Sequence, residues 1–478
     1  MGNSSSKTSP AEPAKINLAQ FRLLRVVGKG SFGKVRVVEH KETKKTFALK
    51  YIRKSDCSKS NSVTNVIRER VILEELEHPL ICCLRYAFQD AEYMYMVTDL
   101  MIGGDLRFHL NRKAFTEECI KFWIAELCAA LFYLHSQGIV HRDVKPDNVL
   151  MDEAGHLHLA DFNIATHLPT DRPLLSLTGT AAYMAPEIFL GKGYGTAVDW
   201  YSLGACFYEC IYEKRPFRGR THEDFANLAI NSTPPYYKIA PPMSDECMSA
   251  LKGFLCKDPE NRLGSGGVSQ ISSHPFLDSF NFTDLAQKRA PPIYSPSKTN
   301  NFDTTHELEE LLLEQSPLEL RARKVARNRD GGTASKRKTQ GKSTPSEIQE
   351  DERYDMMEKC YEDFDYTKLP RRKLSIAAEN LEDLAPPAPL LQPPANISNR
   401  ISADNLQKSE STGSQIILVL PAGESEPVIS TEKDAAPSES GKQSFWKRCV
   451  GSAPKPLERG VIGKSGSRLT ASSSRRGN

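Results

Sequence analysis

Apolar and polar positions alternate along Phe21-Arg22-Leu23-Leu24-Arg25-Val26-Val27 and along Val35-Arg36-Val37-Val38. Successive side chains of a strand point to opposite faces, so this spacing predicts strands. From Cys119 to Ser136 the apolar residues recur at helical spacing, and Val66 to Leu76 reads the same way. Over residues 21 to about 280 a strand-rich part therefore precedes a helix-rich part. Residues 1–20, rich in Ser, Pro, Lys and Ala, show little apolar periodicity and predict a disordered arm. From 281 the composition shifts to Pro, Ser, Glu and Lys, with basic runs at Arg321 to Arg329 and Lys336 to Lys338, which predicts a tail. Beyond 376, Pro- and Ser-rich stretches predict disorder, and no repeat of solenoid period is visible. The run Ile416 to Leu420 is far too short to span a bilayer and reads as a transient strand or docking element.

Length and composition add bounds. With 478 residues and 39% apolar content, the chain can bury a large core and is too long for one compact domain. The 63 basic and 60 acidic residues leave a net charge of +3, which gives no whole-protein case for nucleic-acid binding. Eleven cysteines are scattered without a CxxC pair. No signal-peptide region or 18-residue apolar run accompanies them, which predicts a protein of the reducing cytosol without a disulfide framework. His156 and His158 flank Leu157 with no third ligand spaced to join them, so they read as a strand edge rather than a metal site.

The candidate chemistry starts at Gly28-Lys29-Gly30-Ser31-Phe32-Gly33-Lys34-Val35, where missing side chains let backbone N–H groups approach phosphate oxygens. A dinucleotide-binding turn has the same spacing but opens a helix, and here a strand follows, which favours a hairpin over phosphates. Ala48-Leu49-Lys50 closes another strand; Lys50 can reach those phosphates, and Ala48 leaves room above a base. Glu69, in the helical stretch, can fix the aim of Lys50 as an ion pair. The most specific run is His141-Arg142-Asp143-Val144-Lys145-Pro146-Asp147-Asn148, followed by Asp161-Phe162-Asn163 and Ala185-Pro186-Glu187. Asp143 can accept the proton of a substrate hydroxyl, Lys145 can neutralise a transferred phosphoryl group, and Asn148 with Asp161 can hold magnesium.

With these motifs in order over residues 21–280, the chain resembles the eukaryotic protein kinases. Lys145 and Thr180, in Gly179-Thr180-Ala181, resemble the serine/threonine branch. In finer detail the core is similar to the AGC group, and Asp161-Phe162-Asn163 with an N-terminal Met-Gly is similar to the serine/threonine kinase 32 (YANK) family. The resemblance implies an α+β, bilobal fold: a β-rich small lobe (21–98), a helical large lobe (99–280), a C-terminal tail (281–375) and a disordered segment (376–478). It implies a monomer that transfers the γ-phosphoryl group of ATP, with Mg2+ or Mn2+, to Ser or Thr of protein substrates. Thr98 becomes the gatekeeper, Asp99 to Met101 the adenine hinge, Asp105 a ribose contact and Leu150 the floor of the pocket. Asp199 anchors the catalytic loop, and Arg262 pairs with Glu187. Asn163 departs from the usual glycine; asparagine tolerates left-handed backbone, and its presence implies restricted switching of the metal loop.

Further expectations follow. Asp105, Asp147 and Glu209 resemble a cluster that receives arginines before the phosphosite. Ser176 is the activation-loop phosphosite, with Thr178 its competitor, while Thr180 bonds to Asp143. Pro291 to Pro296 and Asn301-Phe302-Asp303 resemble a segment that crosses to the nucleotide pocket. Tyr361 to Tyr366 resembles a hydrophobic motif in which Asp365 stands where phosphate is common and Phe364 supplies the burial. Met1-Gly2 through Lys7 fits N-myristoylation at Gly2. With the basic runs and Arg475-Arg476 as a second signal, it implies reversible association with an anionic membrane. The rivals are a non-catalytic nucleotide-binding scaffold and a protein whose tail is the main functional part.

Overall fold

In the computed structural model, which describes residues 15–29, 33–59, 62–297, 301, 318 and 345–368, the alternating segments form one antiparallel sheet. It contains β1 (Phe21–Lys29), β2 (Lys34–His40), β3 (Thr46–Arg53), β4 (Leu84–Gln89) and β5 (Tyr93–Asp99) in the order β1-β2-β3-β5-β4. Burial follows position. β3 alternates buried and partly exposed residues over most of its length, whereas in β5 Tyr93 to Val97 are all buried between β3 and β4. Helices α1 (Lys54–Lys59) and α2 (Val63–Glu75) follow β3. The buried face of α2 carries Val66, Glu69, Arg70, Ile72 and Leu73, a spacing of three and four that turns one stripe inward.

The helix-rich part begins with β6 (Gly104–Asp105), α3 (Leu106–Leu110) and α4 (Glu117–Ser136). Thr116 caps α4 by accepting the N–H of Cys119, and Glu117 and Glu118 place negative charge in its first turn. α4 is long and apolar enough to cross a membrane by length and composition, yet 83% of that window is buried inside the protein. It is the core of the larger lobe. The chain continues through β7 (Ile139–Val140), β8 (Val149–Met151), β9 (Leu157–Leu159) and β10 (Thr166–His167), then α5 (Pro186–Leu190) and α6 (Ala197–Tyr212). Four further helices complete the lobe: α7 (His222–Asn231), α8 (Asp245–Phe254), α9 (Val268–Ser272) and α10 (Phe282–Ala286). His156 and His158 lie beside and within β9, both buried; His156 Nδ1 is 2.6 Å from Glu126 of α4. They are core residues of the junction between α4 and β9. The bilobal α+β architecture is the one the sequence implied.

One boundary differs from that expected. Residues 15–20 belong to the small lobe rather than to an arm: Ile16 and Leu18 are buried against the sheet with Phe21 and Tyr86. Asn17 and Gln20 cap a short 3-10 turn reciprocally, which fixes that entry. The apolar pair is too short to register as a period, so its burial was invisible in the sequence.

The tail also returns to the small lobe. Helix α11 (Pro345–Cys360) lies on α1 and α2, where Glu358 pairs with the fully buried Lys54 and Arg353 donates to the Ser58 carbonyl at 2.6 Å. Strand β11 (Phe364–Asp365) pairs with β4, Phe364 opposite Ala87, and becomes the sixth strand. Phe364 is buried as expected, and Met357 and Tyr361 are buried more deeply. The Tyr361 hydroxyl donates to the Tyr95 carbonyl at 2.9 Å. Asp365 accepts from Thr367 N (3.0 Å) and Thr367 Oγ1 (2.7 Å), so it shapes a local turn. Upstream, Gly155 at φ 111° admits Tyr294: a Cβ there would stand 1.8 Å from the Tyr294 carbonyl oxygen. Asn301 donates to the Ile102 carbonyl at 3.0 Å, which brings the tail to the connection between the lobes. Phe302, Asp303, the basic runs, Ile416 to Leu420 and everything from 369 onward lie outside the described residues.

Candidate active site

The loop from His141 to Asn148 is shaped from beneath by Asp199, in the first turn of α6. Its fully buried carboxylate accepts the N–H groups of His141 (2.9 Å) and Arg142 (2.8 Å) and faces His135 Nε2 at 2.9 Å. Burial alone would raise its pKa; the hydrogen bond and charge of His135, with the backbone donors, outweigh that and hold it below the usual carboxylate range. Asp143 then faces the cleft. Its Oδ1 accepts Thr180 Oγ1 at 2.6 Å, and its Oδ2 accepts Asn148 Nδ2 at 2.8 Å and pairs with Lys145 Nζ at 2.8 Å. Lys145 also donates to Thr180 Oγ1 at 2.8 Å. A carboxylate, an ammonium and a hydroxyl thus converge at one point, and Gly179 at φ 134° makes room, since a Cβ there would meet the Arg142 carbonyl at 2.8 Å.

Across the cleft, the strand register sets the second group. Val35 lies opposite Lys50, and Ala48 opposite both Val37 and Thr98, so Ala48 and Lys50 share one face of the sheet. Lys50 Nζ donates to Glu69 at 2.7 and 3.0 Å and lies 3.5 Å from Asp161. Burial opposes the lysine's charge, but Glu69 and Asp161 outweigh it and raise its pKa above the usual range. Gly28 and Gly33 flank the glycine-rich turn; Gly30, Ser31, Phe32 and the Lys29 side chain lie outside the described residues.

Asp161, at φ 60°, has a buried Oδ1 without a close hydrogen-bond partner, the Lys50 ammonium standing off at 3.5 Å. Asn148 engages Asp143 through its amide nitrogen, so its carbonyl oxygen is what it has to offer a ligand. These hard oxygen donors fit a divalent cation. Among the described residues no group of three or more His, Cys, Asp or Glu could hold a metal ion. Asn163 is buried and is not among the residues at positive φ; the left-handed position falls on Asp161 instead. The tolerance of asparagine for left-handed backbone therefore plays no part here.

Cys82, Met101 and Ala160 form a small apolar cluster with Leu150 packed against it. Cys82 and Ala160 were not anticipated. Ala160 directly precedes the Asp161 motif, which is a usable signal, whereas Cys82 arrives there only through tertiary folding. Asp99 reaches the hinge through its backbone alone: its carboxylate accepts from Arg85 at 2.6 and 2.8 Å, and its carbonyl oxygen lies 3.4 Å from Cys82 Sγ. Asp105 caps α3 by accepting the Phe108 N–H at 2.7 Å.

The residues expected in the activation loop and at the substrate lie as follows. Arg142 donates to Ser176 Oγ at 2.8 Å and to the Ile164 carbonyl at 2.7 Å, and Tyr194 OH donates to the Ser176 carbonyl at 2.8 Å. Thr178 is buried. Glu187 and Arg262 form a buried two-point pair at 2.7 and 3.0 Å. Glu209 is buried and Asp147 half-exposed, and both accept hydrogen bonds from Arg107, a residue with no signal in the sequence motifs. Gly2 lies outside the described residues, and Lys15 pairs with Asp363 at 2.9 Å. A cavity of about 420 Å³ is lined by His78, His158 and Lys288 together with Asp99, Leu100 and Met101; Asp143 is not among its lining residues.

Residues 21–277 match the protein kinase domain family. The chain is 40% identical over 341 residues to human serine/threonine-protein kinase 32C, covering 69% of this chain and 70% of that protein. It is 41% identical over 338 residues to human serine/threonine-protein kinase 32B, covering 69% and 81%. It is also 38% identical over 296 residues to the Drosophila melanogaster RAC serine/threonine-protein kinase, covering 61% and 48%.

Proposed function

Because the chain belongs to the protein kinase family, resembles serine/threonine kinases 32B and 32C and is an ATP-dependent protein serine/threonine kinase, we propose that the groups around Asp143 carry the transfer. The observation behind this is the convergence of Asp143, Lys145, Asn148 and Thr180 within hydrogen-bonding distance, opposite an already formed Lys50–Glu69 pair. Asp143 orients a substrate Ser or Thr hydroxyl and accepts its proton; Lys145 offsets charge on the transferred phosphoryl group. Lys50, aimed by Glu69, holds the ATP phosphates, and the backbone between Gly28 and Val35 covers them. Thr98, Asp99, Met101, Ala48 and Leu150, with Cys82 and Ala160, enclose the adenine, and Asp105 offers the ribose its uncommitted oxygen. Mg2+, or Mn2+, held by Asp161 and Asn148, neutralises phosphate charge when bound.

Finer features belong to the same proposal. Ser176 is the regulatory phosphosite, since Arg142 already donates to its hydroxyl while Thr178 is buried. Asp105, Asp147 and Glu209 form an acidic cluster of the kind that receives a basic side chain before the phosphosite, but Arg107 already occupies Asp147 and Glu209. Gly2 carries a myristoyl group that gives reversible membrane association from a cytoplasmic location.

Transfer of labelled phosphate to a serine peptide tests the core proposal. Asp143→Asn is expected to lose at least 100-fold in rate while still binding ATP, in line with the roughly 10²- to 10⁴-fold worth of a positioned base. Retained activity would remove the assignment. For the lipid, wild type is expected in the membrane fraction and Gly2→Ala in the supernatant; equal partitioning ends that part.

A further inference from the structure

Arg107 sits two residues after the Asp105 cap, on α3. Its guanidinium reaches partners distant in sequence: Glu209 at 2.5 and 3.1 Å, Asp147 at 3.2 Å and the Tyr183 hydroxyl at 2.6 Å. The Tyr183 hydroxyl also donates to Glu209 at 2.5 Å. Asp147 follows Asp143 on the catalytic loop, and Tyr183 follows Thr180, so the cluster borders the place where the acceptor hydroxyl must lie. The Arg107 side chain is 18% exposed and that of Glu209 6%, whereas Asp147 is 47% exposed. The pair is thus roofed by protein on its Glu209 side and open on its Asp147 side.

A two-point guanidinium–carboxylate contact is the geometry by which an acidic pocket recognises a substrate arginine. Here the protein's own arginine already makes it. We infer that Arg107 is a specificity-determining residue: tethered in the acidic pocket beside Asp143, it competes with a substrate arginine and suppresses the basic preference that Asp147 and Glu209 would otherwise confer. A tethered competitor has a high effective concentration, so a peptide arginine must displace it or settle for the exposed edge of Asp147. Burial of Arg107 costs its charge some solvation, yet Glu209, Tyr183 and Asp147 hold it protonated at any working pH.

The inference rests on the kinase reading and names the selectivity of that site. The test compares kcat/KM on two serine peptides that differ by Arg or Ala at the second and third residues before the serine. Taking the ratio cancels any general loss of activity in a variant. Wild type is expected to favour the Arg peptide by no more than about threefold, and Arg107→Ala by about tenfold more than wild type, the size of one charge-assisted contact. Adding Glu209→Gln to Arg107→Ala should return the ratio toward wild type. Arg107→Gln keeps a donor toward Tyr183 and Glu209 without the charge; it serves where the alanine variant unfolds, and its ratio should rise in the same direction. An unchanged ratio in active variants overturns the inference. If that constant ratio is high, the pocket binds arginine regardless of Arg107; if it is near one, the acidic cluster does not read substrate at all. Neither result touches the Asp143 assignment, which stands or falls on Asp143→Asn.

Discussion

At the scale of single residues, the catalytic loop was legible because its chemistry is contiguous: Asp143, Lys145 and Asn148 lie within six positions, and each role needs its residue type. Arg107 was not legible. An arginine in a short helix reads as a solvated charge, and its partners lie 40, 76 and 102 residues away. The same holds for His78. Its Nδ1 accepts the Leu80 N–H at 3.1 Å, its Nε2 is buried without a partner, and its ring stacks on Tyr133 at 4.6 Å. Burial, and then the charge of Lys288, lower its pKa from 6.5 to about 4. In the unfolded chain it titrates near 6.5, so between there and about pH 4 the unfolded state takes up a proton that the folded state refuses. Stability is therefore fully present above 6.5 and falls by about 1.4 kcal/mol for each pH unit below it from this residue. Urea unfolding at pH 7 and 5.5 is expected to show a weaker pH dependence in His78→Phe than in wild type; parallel slopes would contradict the assignment.

At the scale of elements, the main strands and α2 and α4 follow from their periods, but α11 does not. Pro345–Cys360 is mostly polar, and it meets the lobe through Arg353 and Glu358 together with the short apolar set Tyr354 and Met357. The hydrophobic motif at 361–366 was legible only by resemblance, and its structure redistributes the weight toward Tyr361. Phe364→Ala removes a buried ring at the sheet edge and is expected to cost about 3 kcal/mol. Asp365→Ala, whose side chain serves a local turn, should change stability by no more than about 0.5 kcal/mol. Thermal unfolding of the two variants beside wild type decides; equal shifts would mean that Asp365 holds the segment after all.

At the scale of the whole molecule, the two lobes meet around a cleft in which Lys50, Glu69 and Asp161 are already assembled. ATP with magnesium should therefore bind without first rearranging α2, and at 100 times its Kd it should stabilise the protein by about 2.7 kcal/mol. Asp143→Asn should keep that thermal shift, because Asp143 acts on the acceptor side. Asp161→Asn should lose the part that depends on magnesium. A full shift in Asp161→Asn would move the metal elsewhere.

The edge of the sheet has a consequence for how the protein is made. Gln89 donates to the Tyr361 carbonyl, a partner 272 residues later in the chain. At a synthesis rate of roughly 5 to 20 residues per second, β4 waits about 15 to 55 s on the ribosome before β11 exists to cover it. During that interval the small lobe presents a row of unpaired backbone groups that any foreign strand can join. A chain whose translation halts after the large lobe and before Phe364 would hold every catalytic residue and still carry that open edge.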